Sequence, residues 1–266
     1  MTVHDLRASS LTLGYTEADV IRDLSVEIPD GKITAIVGAN ASGKSTLLRG
    51  LARLLAPRAG SVLLDGASVQ TMRSVEVAKV LGLLPQSPVA PDGITVGDLV
   101  GRGRYPHQGW FRRWSGSDDA AVSSALAATD TADLIDRPLS SLSGGQRQRV
   151  WVAMALAQDT DILLLDEPTT FLDICHQVDL LDLLTDLNRR SAKTIVLVLH
   201  DLNLACRYAD HLIAMKQGAI VAEGPPSQVV DAATVTEVFG LACVVVPDPV
   251  SATPMIVARG RHHTGD

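Results

Sequence analysis

"GKITAIVGANASGKSTLLRGLARLL", residues 31–55, changes pattern twice within a short span. An apolar β-type run, 33–37, ends in glycine; a small-residue loop follows; then leucines recur at helical spacing from 44 to 55, and Pro57 closes the segment. This is strand, loop and helix in order, and residues 38–45, "GANASGKS", match G-x-x-x-x-G-K-[ST] in the context that motif requires. Gly38 and Gly43 let backbone N–H groups turn inward on a phosphate, with Ala39, Asn40, Ala41 and Ser42 between them; the positive end of the following helix adds a fixed attraction. Lys44 supplies a point charge to the β- and γ-phosphates, Ser45 a hydroxyl suited to Mg²⁺, and Thr46 continues the first turn. At position 42 only the backbone is expected to act.

Outward from this segment, β patterns lie upstream at 9–15 and 20–28. Residues 88–140, broken by Pro88, Pro91, Pro106 and Pro138, read as an inserted, mainly helical lobe. Alternation then resumes: helix 143–157, strand 161–166, helix 174–190, strand 193–199, helix 201–208. Strands alternating with helices predict an α/β fold with a largely parallel sheet covered on both faces. "MKQGAIVAEG" predicts a hairpin, and "VVVPDPVSATPMIV" short extended pieces in a C-terminal cover.

A length of 266 residues suffices to bury a core. The formal charge of -7 excludes affinity for duplex nucleic acid built on phosphate neutralisation. Cys175, Cys206 and Cys243 show neither CxxC spacing nor an even-numbered framework, which fits a reducing compartment and three structural thiols. The longest apolar runs, such as "WVAMALA", fall far short of the roughly 18 residues of a membrane span, and the N-terminus lacks an export-type apolar core, so a chain that neither spans a bilayer nor is exported is expected.

"DILLLDEP" puts Asp166 and Glu167 at the C-terminal end of a buried strand, where open parallel sheets place their ligands. Neighbouring strand residues point opposite ways. Asp166 can therefore face Mg²⁺ through its water shell while Glu167 reaches an attacking water. Phosphoryl transfer needs little beyond positioning and charge stabilisation, so this pair is chemically enough.

A second glycine turn, "LSGGQRQR" at 142–149, stands just ahead of "ILLLDEP". By itself a glycine pair before a helix is an N-cap. Together with the phosphate loop, however, it resembles the signature motif of the ATP-binding cassette (ABC) ATPases, and the likeness covers nearly the whole chain. The resemblance implies a P-loop NTPase core of 1–87 and 150–240, with an N-terminal antiparallel β subdomain, a helical subdomain of 88–149 and a C-terminal cover of 241–266. It implies ATP and Mg²⁺ as ligands, and a homodimer in which two copies pair head to tail. Ser143, Gly144, Gly145 and Gln146 of one copy would then close on the γ-phosphate held by the other.

The same resemblance assigns further residues. Tyr15 resembles the aromatic that stacks on adenine, although alone it is an ordinary half-buried tyrosine. Gln86 resembles the glutamine that joins Mg²⁺ or water to the inserted lobe, Asp173 the loop aspartate that contacts the opposite copy (equally a helix cap by itself), and His200 the histidine on the γ-phosphate. The remaining histidines have no such context.

"GRGRYPHQGWFRRW", "TTFLDICHQVDLLDLL", "HDLNLACRYADHLIAMKQGAIVAEGPP" and "VFGLACVVVPDPVSATPM" look like the iron-siderophore importers, closest to the ferric-enterobactin type. The expectation is an ATPase subunit at the cytoplasmic face of the inner membrane, serving two integral-membrane permease subunits and, indirectly, a siderophore-binding protein, with no nucleic acid. Haem or cobalamin import is one alternative; a non-transport cassette acting as a nucleotide-gated binding module is another. Residues 101–114 hold four of the nine aromatics beside Arg102, Arg104, Arg112 and Arg113. That mixture suits a groove for a short cytoplasmic helix of the permease, or a packed lobe with solvated arginines.

Overall fold

A computed structural model describes residues 3–16, 18–108, 114–260 and 262. The chain divides into two units, one of Val3–Gln70 with Val196–Asp266, the other chiefly Thr71–Ile195.

The first unit opens with β1 (Leu6–Tyr15) and β2 (Ala18–Ile28), an antiparallel pair. Leu6, Ala8, Leu11 and Leu13 are all buried, so the buried parity switches between positions 8 and 11. A strand with strict period two cannot do this, and a bulge at that point, with Ser10 at φ 45°, restores the inward face. The partner strand answers with Gly60 at φ 73°, where a Cβ would run into the Ser10 carbonyl. β3 (Ile33–Gly38) is buried along its whole length, as a parallel central strand must be. It leads through the glycine loop to α1 (Lys44–Leu51). That helix stops four residues before its predicted end, because Arg53 turns left-handed at φ 61° and the amides of Leu54 and Leu55 fold back onto the Arg49 carbonyl. β4 (Ala59–Leu64) and the two-residue β5 (Ala67–Ser68) complete the order β2-β1-β4-β5.

In the second unit α2 (Ser74–Val80) precedes β6 (Leu81–Leu84). Next come α3 (Val96–Gly101), α4 (Gly116–Ala128) and α5 (Gly144–Ala157), joined by 3₁₀ turns. Leu99, Val100, Val122, Leu126, Val150 and Trp151 are buried in this helical region. β7 (Ile162–Asp166) pairs in parallel with β6, and α6 (Ile174–Ser191) follows it. β8 (Thr194–Val198) runs across the division between the units.

The rest returns to the first unit: α7 (Leu202–Tyr208), β9 (His211–Lys216) parallel to β3, and β10 (Ala219–Gly224) antiparallel to β9. The β9–β10 turn places Gln217 at φ 49° and Gly218 at φ 82°, the two positive angles that match strand twist in a two-residue hairpin. After α8 (Pro226–Val229) and α9 (Ala232–Phe239), β11 (Cys243–Pro247) and β12 (Pro254–Ala258) form a ribbon. Asn203 of α7 holds it by accepting from the Ile256 amide (2.7 Å) and donating to the Ile256 carbonyl (3.3 Å).

One expectation for 101–114 needs correction. Arg104 is neither solvated nor part of an open groove, being only 7% exposed. Its Nε donates to Asp118 at 3.0 Å and its Nη1 to the Ala157 carbonyl at 2.8 Å, so it ties the start of α4 to the end of α5. Asp118 also accepts from the Ser115 hydroxyl and amide. Those hydrogen bonds, with Arg104, draw its carboxyl pKa down to about 2. Because the folded-state value lies below the ordinary aspartate value of 3.8, the contribution is present above that pH and disappears as pH falls through about 2. Asp118→Asn, which keeps the shape but leaves the guanidinium buried without its counter-charge, is expected to lower Tm by roughly 5 °C at neutral pH. Thermal melts of the two proteins should converge between pH 4 and pH 2.

Candidate functional site

The glycine loop is built as a cradle. Gly38 sits at φ 153° and Gly43 at φ 103°, and a Cβ on Gly38 would strike the Met215 carbonyl. α1 begins without a side-chain cap or an acidic residue in its first turn, so an anion at this end would itself serve as the cap. Lys44 is 5% exposed and its Nζ donates to the Gly38 and Ala39 carbonyls, each at 2.9 Å. The loop is closed from Ser42 to Ala39 (3.2 Å), and the hairpin-turn residue Gly218 donates its amide to the Ser42 carbonyl (2.9 Å). Ser42 therefore acts through its backbone; its hydroxyl is buried with no partner among the described residues. The part played by Gly218 has no sequence signal except the glycine of a hairpin. Asn40 and Ala41 are exposed at the top of the loop and Ala39 is half-buried, while Ser45 and Thr46 lie in the first turn of α1.

His200 follows β8 and is exposed, and the neighbouring Leu199 amide donates to the Ile36 carbonyl of β3 (3.2 Å). Asp201 caps α7 by accepting from the Leu204 amide at 3.0 Å. Tyr15 ends β1 with 41% of its surface open.

In the second unit Asp166 and Glu167 are both buried, at 2% and 8% exposure. Glu167 has φ 54°, a left-handed conformation that costs a residue with a Cβ of order 1–3 kcal/mol and persists where the surroundings over-determine it. Those surroundings are visible. Gln86 Nε2, from the loop after β6, donates to Glu167 Oε2 at 2.7 Å, and the Thr170 hydroxyl donates to the same oxygen at 3.4 Å. Two predicted residues 81 positions apart are thus joined, and Thr170 is a third that the sequence did not single out.

Ser143 is the N-cap of α5. Its Oγ accepts from the Gln146 amide (3.2 Å), and its own amide donates to Gln146 Oε1 (3.1 Å), a complete capping box. Capping uses a lone pair of the hydroxyl and leaves its O–H able to donate, so cap and phosphate donor are compatible roles. Gln148 Nε2 donates to the Pro168 carbonyl at 2.9 Å and so fixes α5 against the turn that follows Glu167. Nothing in the local sequence distinguishes Gln148 from Gln146. A Cβ on Gly144 or Gly145 would approach Phe171 or Leu172, which places the signature turn beside the loop that carries Asp173. Asp173 caps α6, accepting from the His176 amide (3.0 Å) and imidazole Nδ1 (2.7 Å); those bonds hold its carboxyl below the usual range. Phe171 and Ile174 flank it with 79% and 81% exposure.

Beyond these motifs a cleft of about 650 Å³ opens among Ile94, Gly97, Gly101, Arg102, Tyr105 and Trp114. Tyr105 and Trp114 stay well exposed at its rim. Arg112, Arg113, Trp110 and Phe111, also expected there, lie outside the described residues.

The first unit thus carries a phosphate cradle, and the second a strained buried glutamate under a glutamine and a donor-bearing glycine turn. The chain is 54% identical to the ferric enterobactin transport ATP-binding protein FepC of Escherichia coli K12, over 98% of its length and 96% of that protein's. It is 53% identical to the probable siderophore transport system ATP-binding protein YusV of Bacillus subtilis 168, over 98% and 95%. Its fold matches the dimeric bacterial ABC transporter cassette MJ0796 with a TM-score of 0.75 and 28% identity, covering 83% of this chain and 98% of that one. The family model for ABC transporters matches residues 21–170, and the chain accordingly belongs to the ABC transporter ATP-binding proteins.

Proposed function

We propose that the chain is the ATP-hydrolysing subunit of a ferric-siderophore importer, working as a head-to-tail pair at the cytoplasmic face of the membrane beneath two permease subunits, to which a binding protein delivers the chelate. The observation that carries the hydrolytic part is Glu167, a buried carboxylate in a left-handed conformation with one oxygen held by Gln86. The siderophore part is supported by the full-length likeness to FepC and YusV. Among the described residues no helix is long and apolar enough to cross a membrane, consistent with a peripheral subunit.

In this reading the glycine-loop amides, the first turn of α1 and Lys44 bind and orient the β- and γ-phosphates, and Tyr15 takes the adenine ring. The donor set fits Mg²⁺, a hard cation that prefers oxygen: Ser45, Gln86 and the buried Asp166 would hold it, and when bound it neutralises charge on the phosphate oxygens. Glu167 accepts a hydrogen bond from a water in line with the γ-phosphate and takes its proton as the water attacks, and His200 donates to that phosphate. Ser143, Gly144, Gly145 and Gln146 of the opposite copy supply the remaining donors, with Asp173 at the junction. In a single chain Ser143 and Gly144 are exposed and Gly145 and Gln146 half-buried, which leaves the turn accessible for that contact.

Gln86 holds one of the two carboxylate oxygens of Glu167. Movement of the loop after β6 would therefore release Glu167, and the same loop leads into the lobe with the Tyr105–Trp114 cleft, which suits a short permease helix. The test is uptake of radiolabelled ferric siderophores by cells lacking this chain. Uptake should be lost and restored by the wild-type chain, with haem and cobalamin uptake unaffected; intact iron uptake with loss of either of the others would reassign the cargo.

A further inference from the structure

Tyr15 ends β1 at the tip of the β1–β2 hairpin, where a ring with 41% of its surface open would ordinarily sample more than one rotamer. Two arginines act on this tip. Arg58, at the entry to β4, pairs through Nη1 with Asp19 Oδ1 at 2.6 Å and donates through Nη2 to the Thr16 carbonyl, so it clamps the backbone. Arg49 acts on the ring itself, donating from Nη1 to the Tyr15 hydroxyl at 3.1 Å.

Arg49 is well placed for this. It lies on α1, the helix that leaves the phosphate loop, one turn beyond Ser45 and on the same side. Its guanidinium occupies the last turn, where the helix dipole favours a cation, and its carbonyl is pinned by the Leu54 and Leu55 amides. A base with a fixed backbone therefore holds the far end of the phenol, and the aromatic face is tied to the element that carries the phosphate donors.

We infer that Arg49 is a positioning residue that pre-orients the Tyr15 ring for the nucleotide base through the bond to its hydroxyl. This rests on the proposed role of Tyr15 as the adenine platform. Ordering the ring before the ligand arrives improves affinity and leaves the chemistry alone.

The test uses the full chain, titration with a fluorescent ATP analogue, and steady-state hydrolysis. Arg49→Ala should weaken binding about fivefold and raise KM in step, with a much smaller change in kcat, while Arg49→Lys, which can still donate to the hydroxyl, should recover most of the loss. Tyr15→Phe removes the acceptor but keeps the stacking face, and should match Arg49→Ala. The double variant should be no worse than either single change. If the two losses multiply, Arg49 acts on the nucleotide directly and the inference fails. It fails equally if Arg49→Ala binds normally while Tyr15→Ala does not, an outcome that leaves the platform role intact. Normal binding by Tyr15→Ala removes the platform reading itself. Far-ultraviolet circular dichroism and Tm show that each variant is folded.

Discussion

Replacing Glu167 with glutamine is expected to cut ATP turnover by at least about a hundredfold while leaving nucleotide binding intact, the loss typical of a removed general base. Glutamine is close in shape, and its side-chain oxygen can still accept from Gln86 Nε2 at the position that Glu167 Oε2 now holds, 2.7 Å away. Buried surroundings and left-handed backbone stay as they are. What disappears is the charge that polarises water. ATP should then persist in a closed pair of chains, seen as an ATP-dependent shift from monomer to dimer on size exclusion alongside phosphate-release kinetics. Glu167→Ala should behave differently, because it also frees Gln86 and the Thr170 hydroxyl and so loosens the loop after β6. Turnover of the glutamine variant within tenfold of wild type would remove Glu167 from the role of base.

How far sequence reaches into this site can be judged residue by residue. The strand, loop and helix around 31–55 were legible because hydrophobic period, glycine and lysine all point the same way, and the all-buried β3 and β7 follow from their unbroken apolar runs. β4, "AGSVLL", is not legible as a strand, since a short segment opening with alanine and glycine carries little β signal until its partner β1 is known. The overlong estimate of α1 has a similar cause: leucines at 54 and 55 continue the helical spacing, but the left-handed Arg53 has already ended the helix. At the site the residue types were readable and their pairings were not. Gln86 and Glu167 meet through β6 and β7 lying side by side, a tertiary fact. Arg104 shows the opposite failure. It shares a stretch with three other arginines, and only the fold decides that this one meets Asp118 in the interior.

Lys44→Ala should lower ATP affinity by about 10- to 100-fold, the effect of removing charge-assisted hydrogen bonds worth about 1.5–3 kcal/mol. The direction follows from how the ammonium is kept. It is buried at 5% exposure and bridges the Gly38 and Ala39 carbonyls at 2.9 Å each, so the cation is held against the loop before any phosphate is present. Arriving phosphates meet a charge whose desolvation is already balanced, and little reorganisation is needed. Alanine removes that charge and also leaves the two carbonyls without this donor, which loosens the loop that must present its amides. Lys44→Arg should not restore binding: the guanidinium is planar and longer, and cannot place a compact point charge between the Gly38 and Ala39 carbonyls. Equilibrium binding of a fluorescent ATP analogue measures both variants, and hydrolysis should fall with affinity. The contrast with Glu167→Gln is the decisive point, because that variant should bind without turning over and this one should barely bind. Equal affinity of Lys44→Ala and wild type would mean that the glycine-loop amides and the helix N-terminus suffice to hold the phosphates.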